Sequence, residues 1–248
     1  MGRLSGKRAL ITGGTTGIGL ETAKQFLAEG ARVAITGTNP ANIEQAKQQL
    51  GPDVLAIRAD AGSVETQSAV VWAVKDKFGA LDVLVINAGI AALKPVEAWD
   101  EAAFDQMIAT NVKGPFFLIQ KLLPILANPT SIVLNGSVNA HVGMPNSSVY
   151  GASKAALVSF ARTLSGELIS RGIRINVISP GPNSTPLYGK LGLPAADLKT
   201  VAASIESQVP AGRFGQPSEI AKAFVFLASD ESAFTVGGEL LIDGGLSL

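Results

Sequence analysis

The sequence predicts an α/β fold, a parallel sheet with helices on both faces, on three observations. Short apolar runs recur seven times in 248 residues, helical patterns separate them, and no Pro-, Gly- or Ser-rich linker divides the chain. The runs are Ala9–Ile11, Val33–Ile35, Val54–Ile57, Val83–Ile86, Ile132–Leu134, Ile173–Ile178 and Glu239–Ile242. They are short, β-branched and nearly continuous, as strands buried on both faces should be. Helical spacing is predicted over Gly17–Glu29, where Ile18, Thr22, Phe26 and Leu27 share a side, and over Val64–Phe78 and Tyr150–Ile169. A further long helix is expected from Glu101 to Leu126. Such alternation implies right-handed βαβ crossovers. One domain over 1–248 is expected, with the least regular stretch, Pro180 to Gln208, as a candidate lid at about 182–208.

Composition excludes several chemistries. The chain is 47% hydrophobic and 16% charged, with formal net charge zero, so no basic field points to nucleic acid or an anionic membrane. With no cysteine and one histidine, a thiolate nucleophile, disulfides and a Cys- or His-based metal site are ruled out. The opening MGRLSGKRALITGG starts a strand without a signal-type apolar region, and no run reaches membrane-span length. The expectation is a cytoplasmic protein with no membrane or nucleic-acid partner.

The first strand-to-helix turn reads Thr12-Gly13-Gly14-Thr15-Thr16-Gly17-Ile18-Gly19. Glycines permit a tight turn and close backbone approach, and the helix that follows offers its N-terminus to a pyrophosphate. After the fourth run comes Asn87-Ala88-Gly89. The stretch from Asn135 to Leu157 holds Ser137, His141, Tyr150 and Lys154, and the sixth run leads into Pro180-Gly181-Pro182-Asn183-Ser184-Thr185. Tyr150 and Lys154 are four apart, hence on one helical face.

These motifs, from about Lys7 to Gly245, resemble the short-chain dehydrogenase/reductase family. The resemblance implies a seven-stranded, doubly wound Rossmann sheet, NAD(P)-dependent oxidation or reduction, and a homotetramer. It implies cofactor contacts at Gly13, Thr15, Thr16, Gly17, Ile18, Gly19, Asp60, Ala61, Asn87, Ala88, Gly89, Pro180, Gly181, Asn183 and Thr185. It makes Ser137, Tyr150 and Lys154 catalytic, has Lys154 hold ribose hydroxyls, and gives Asn111 the anchoring of water in a proton relay. Chemically, a lysine ammonium is expected to lower the pKa of Tyr150, letting it exchange a proton with a carbonyl or hydroxyl oxygen that Ser137 orients.

The cofactor's phosphate is read from Gly37-Thr38-Asn39. Gly37 stands where NAD-preferring relatives usually carry Asp, and no acid follows until Glu44. The cation usual in NADP-preferring relatives is also missing, with Thr16 and Thr38 at its two sites. NADP(H) is favoured and NAD(H) possible, with Thr38, Asn39 and backbone amides as phosphate ligands. Asp60 reads either as an adenine contact or as a turn residue near a helix start. Leu93, Ser137, His141, Met144, Tyr150, Leu187 and Tyr188 are expected to wall a moderately apolar substrate pocket. No G-x-S-x-G elbow surrounds Ser137, so His141 reads as pocket wall rather than base. The reaction expected is carbonyl reduction or its reverse on a small molecule. A 3-oxoacyl-carrier-protein reductase, or a nucleotide-sensing protein that lost catalysis, are the alternatives.

Overall fold

A computed structural model describes residues 2–185 and 195–248. Its strands are β1 (Arg8–Ile11), β2 (Arg32–Gly37), β3 (Leu55–Arg58), β4 (Leu81–Ile86), β5 (Leu126–Asn135), β6 (Ile173–Pro180) and β7 (Glu239–Ile242). They form one sheet in the order β3-β2-β1-β4-β5-β6-β7, and every neighbouring pair is parallel. The order reverses between β1 and β4, and at such a switch an open α/β sheet makes a crevice at its strand C-termini.

The helices are α1 (Gly17–Ala28), α2 (Pro40–Leu50), α3 (Gln67–Phe78), α4 (Glu101–Ile108), α5 (Gly114–Leu122), α6 (Ser148–Leu168), α7 (Ala195–Gln208) and α8 (Pro217–Ala228). Alternate strand residues feed two cores. Leu10, Ala34, Leu84 and Ile132 pack with Val70, Leu118 and Leu157 of α3, α5 and α6. Ile11, Ile35, Val85 and Val133 pack with Phe26 of α1 and Phe224 of α8. Both phenylalanines are fully buried, each contributing on the order of 1.5–3 kcal/mol. A doubly wound, single-domain Rossmann sheet results.

Four local expectations change. The helix predicted from Glu101 to Leu126 is α4 and α5 joined by a π turn, Ala109–Lys113. Its end comes early because Pro124 lies in a 3-10 turn, Leu123–Ile125, and Leu126 already belongs to β5. Helix α3 starts at Gln67 rather than Val64, after a turn in which the Thr66 hydroxyl donates to Ser63 O at 3.0 Å. The irregular stretch ends in α7, which runs Ala195–Gln208.

Candidate active site

Two connected hollows lie at the C-terminal edge of the sheet. The larger, about 820 Å3, is a cleft over β1, β2 and β4, within the range that holds a sizeable organic ligand. Gly13, Thr15, Thr16, Gly17 and Ile18 line it from the first turn, and Gly37, Thr38 and Asn39 from the second. Asp60 and Ala61 line its far end, and Asn87, Ala88 and Gly89 its middle.

The glycine turn is shaped by what it excludes. Gly13 has φ +63°, and a Cβ there would stand 2.9 Å from Ala88 Cα. A Cβ on Gly19 would strike Gly13 O and the Asn87 amide, so Gly19 serves close packing behind the cleft rather than lining it. Thr16 caps α1 without a side-chain hydrogen bond, and the first turn of α1 holds no acid. The leading N–H groups and the positive helix end are thereby left for an anion. Thr12 ties the turn to the next loop: its Oγ1 accepts from Asn87 N and Ala88 N, both at 3.0 Å. Asn87 Nδ2 returns bonds to Thr12 O and Gly13 O at 3.0 and 3.1 Å. The cleft therefore fits a dinucleotide, with backbone amides on the pyrophosphate.

Asn39 and Asp60 have structural tasks of their own. Asn39 Oδ1 caps α2, accepting from Ala41 N and Asn42 N at 2.9 and 3.2 Å, so only its amide nitrogen is left to donate to a phosphate. Asp60 Oδ1 accepts from Gly62 N at 2.9 Å and closes the turn after β3. It does not cap α3, whose N-cap is Thr66.

The second hollow, about 170 Å3, adjoins the first, and Asn87, Gly89 and Asn135 line both. Ser137, Tyr150 and Lys154 converge on it, with Leu93 and Met144 as apolar walls. Pro180, Gly181, Asn183 and Thr185 close the opposite side. Asn183 is buried, its Nδ2 donates to Gly181 O at 2.8 Å, and its bridge to Gly215 braces the loop. Leu187 and Tyr188 lie outside the described residues.

Helix α6 presents Tyr150 and Lys154 on one face. Lys154 is buried and its Nζ donates to Asn135 O at 2.7 Å. The same Nζ stands 5.8 Å from the centre of the Tyr150 ring. Burial pushes the Lys154 pKa down from 10.5 to about 8. It also pushes the Tyr150 phenol above its usual value of 10, while a hydrogen bond with Ser137 draws it back by less. The expected lowering of Tyr150 by Lys154 is thus reversed in the protein alone, because desolvation of the phenolate outweighs its neighbours.

Asn111 sits in the π turn and is buried. Its Oδ1 accepts from Ile90 N at 2.9 Å, and its Nδ2 donates to Ile90 O at 2.9 Å and to Ser153 Oγ at 3.0 Å. The side chain therefore joins the loop after β4 to α6 and makes no direct bond to Lys154.

His141 is a correction. It does not line the cavity; its Nε2 lies 2.6 Å from Glu239 Oε1, because a carboxylate on β7, two strands along the sheet from β5, draws the ring away. Sequence reasoning assigned nothing to Glu239, whose only signal was an acid opening the otherwise apolar strand ELLI. It also passed over Arg58. The register sets Arg58 opposite Gly37 across β2 and β3, a proximity that spacing along the chain hides. Among the described residues no cluster of His, Cys, Asp or Glu could hold a metal, and no helix is long and apolar enough to cross a membrane.

Comparison with known proteins agrees with this geometry. Residues 13–247 match a family model described as enoyl-(acyl carrier protein) reductase. The chain is 40% identical over 247 residues to oxidoreductase asL5 of Sarocladium schorii, covering 99% of this chain and 97% of that one. It is 38% identical over 254 residues to the glucose and ribitol dehydrogenase of Daucus carota, covering 98% and 86%. A crystal structure from Brucella melitensis, titled a short-chain dehydrogenase/reductase and glucose/ribitol dehydrogenase, has a TM-score of 0.92 at 33% identity over the full length of both chains. Matched over nearly its whole length by the family model and by such relatives, the chain belongs to the short-chain dehydrogenase/reductase family, as an oxidoreductase acting on CH–OH groups with a nicotinamide dinucleotide.

Proposed function

We propose that the protein is an NADPH-dependent carbonyl reductase for a moderately apolar ketone or aldehyde. The observation that carries this reading is the meeting of Ser137, Tyr150 and Lys154 in a small cavity beside the dinucleotide cleft. When bound, NADPH supplies the hydride. Ser137 and Tyr150 hold the carbonyl oxygen, and Tyr150 gives it a proton as negative charge develops. A phenol whose pKa is raised keeps its proton at neutral pH, as a donor in reduction must. Lys154 binds ribose hydroxyls, and with Asn111 it returns a proton to Tyr150 through water.

Substrate polarity follows from the walls. Apolar side chains, Ile90, Leu93, Val138, Met144, Ile205 and Leu246 among them, slightly outnumber the polar ones around the cavity, which favours a ketone with an apolar arm over a polyol. The preference for NADPH follows from two features. Gly37 brings no carboxylate to repel a 2′-phosphate. Arg58 stands opposite it in the sheet, exposed and without an ion pair among the described residues. Even-numbered β3 residues share the face of odd-numbered β2 residues: Ala56 packs against the core that holds Ile35. Arg58 thus emerges on the α2 face, exposed beside the strand end that carries Gly37.

For assembly we infer a homotetramer. Phe234, Val236, Leu240, Leu241 and Leu248 lie exposed along and beyond β7, an apolar strip of the kind that a second copy covers. Light scattering that returned a monomer mass at every concentration would contradict the assembly. The catalytic reading is tested by following NADPH and NADH absorbance with a panel of aryl ketones, a 3-oxoacyl thioester and ribitol. Turnover of the ketones supports it; turnover of the thioester or ribitol alone would replace it.

A further inference from the structure

His141 and Glu239 stand outside the cavity, yet they join its two sides. Glu239 opens β7, and its side chain is 12% exposed. Its Oε1 accepts the Ser179 hydroxyl at 2.6 Å and meets His141 Nε2 at 2.6 Å. Ser179 is fully buried at the end of β6 and leads directly into Pro180–Thr185, one wall of the cavity. His141 follows the turn Val138–Ala140 in the loop that carries Ser137, Asn139 and Met144, the facing wall. A single carboxylate oxygen therefore holds both walls. Nothing in the pairing of β7 requires an acid at this position, since its backbone alone pairs with Val177. Hydrogen bonds to a carboxylate are shorter and stronger than neutral ones, so the junction is stiff.

We propose that Glu239 is a positioning residue which, through His141 and Ser179, sets the spacing between the Ser137 loop and the Pro180–Thr185 segment and so selects the size of the carbonyl substrate. The proposal rests on the reading of this cavity as the carbonyl site. Neither Glu239 nor His141 touches the reacting atoms, and both act by holding the groups that do. Loss of the carboxylate frees the walls to separate. Bulky ketones are then accepted more readily, and small ones are held less closely at Ser137 and Tyr150.

The test compares a small aliphatic and a bulky aryl ketone in the parent, Glu239→Val, Glu239→Gln, His141→Ala and the double variant Glu239→Val/His141→Ala. Binding of NADPH by fluorescence and the thermal midpoint are measured beside kcat and KM. Glu239→Val and His141→Ala should each shift the bulky-to-small ratio of kcat/KM by about tenfold toward the bulky ketone, mainly through KM. The double variant should go no further, because the two residues share one junction. Glu239→Gln keeps one oxygen that can accept from both the Ser179 hydroxyl and the ring N–H, and should stay within about threefold of the parent. Cofactor affinity should not change. Should Glu239→Val fail to fold, His141→Ala, on an exposed loop, carries the measurement. A lowered midpoint with an unchanged ratio would overturn the proposal, leaving Glu239 a fastening for β7. A parent that turns over neither ketone overturns the carbonyl reading as well.

Discussion

The glycine-turn side of the crevice and the α6 side recognise by opposite means. The first works through missing side chains: Gly13 and Gly37 leave room, backbone amides face the cleft, and little is charged. The second works through present ones: a buried lysine, a buried asparagine and a tyrosine with raised pKa, held by side-chain hydrogen bonds. Shape without charge binds many dinucleotides and discriminates weakly. Buried charge and hydrogen bonding perform chemistry, and stability is lost to keep them there. Substitutions on the first side should therefore alter which cofactor is used, and those on the second whether anything happens at all.

The largest expected effect separates the sides most cleanly. Tyr150→Phe should lower kcat for ketone reduction by about 10²–10⁴-fold while NADPH binding, followed by fluorescence, stays near that of the parent. Equal turnover by the two proteins would move the proton donor elsewhere.

Next comes the cost of burying Lys154. Its pKa falls from 10.5 to about 8 on folding, so between those values the unfolded chain binds more protons than the folded one. Stability must then rise with pH across that window. Below pH 8 both states are protonated and the penalty is at its full size. Relative to Lys154→Met, which lacks the amine, the parent should gain roughly 3 kcal/mol in urea unfolding between pH 7.5 and pH 10.5. A difference between the two proteins that ignores pH would show the lysine to be better hydrated than its burial implies.

The smallest effects lie on the cofactor side. Arg58→Ala should weaken 2′,5′-ADP by about tenfold and leave 5′-AMP unchanged, the size of one charge-assisted phosphate contact. Equal losses for both nucleotides would remove Arg58 from the phosphate. Gly37→Asp should shift the ratio of kcat/KM from NADPH toward NADH. A Cβ at position 37, however, meets Thr15 Cγ2 at 2.6 Å and Oγ1 at 2.9 Å, so the shift should be clearest when Thr15→Ala accompanies it. An unmoved ratio in the double variant would mean that the absence of an acid here is not what admits the 2′-phosphate.

The frame was largely legible, because each of the seven apolar runs is itself a strand and the turns between them carry their own glycines. β3 is displaced by one residue from its run, and β5 begins six residues before its run, where Ala127 and Asn128 gave no signal. Residues close in sequence were also legible: Tyr150 and Lys154 share a helix face, and Ser137 stands just past a strand. What failed depended on partners far along the chain or on burial. His141 is four residues from Ser137, yet its partner is Glu239, 98 residues away. The rise of the Tyr150 pKa in the protein alone was not foreseen, because the neighbouring lysine is visible in the sequence and the dry surroundings of both are not. Arg58 was missed because its neighbour Gly37 is set by strand register.

The π turn at Ala109–Lys113 makes the length of the α4–α5 helix matter as much as its composition. A π turn accommodates one more residue than the α-helix would over the same span. Excision of Thr110 alone would let an ordinary ladder re-form with α4 and α5 kept in line, and would rewind only the turn that carries Asn111. Asn111 would turn away from Ile90 and Ser153 with every functional side chain still encoded. In this segment a count of residues is inherited along with their identities, and a library of single deletions should find here a gap in tolerance that a library of substitutions would not reveal.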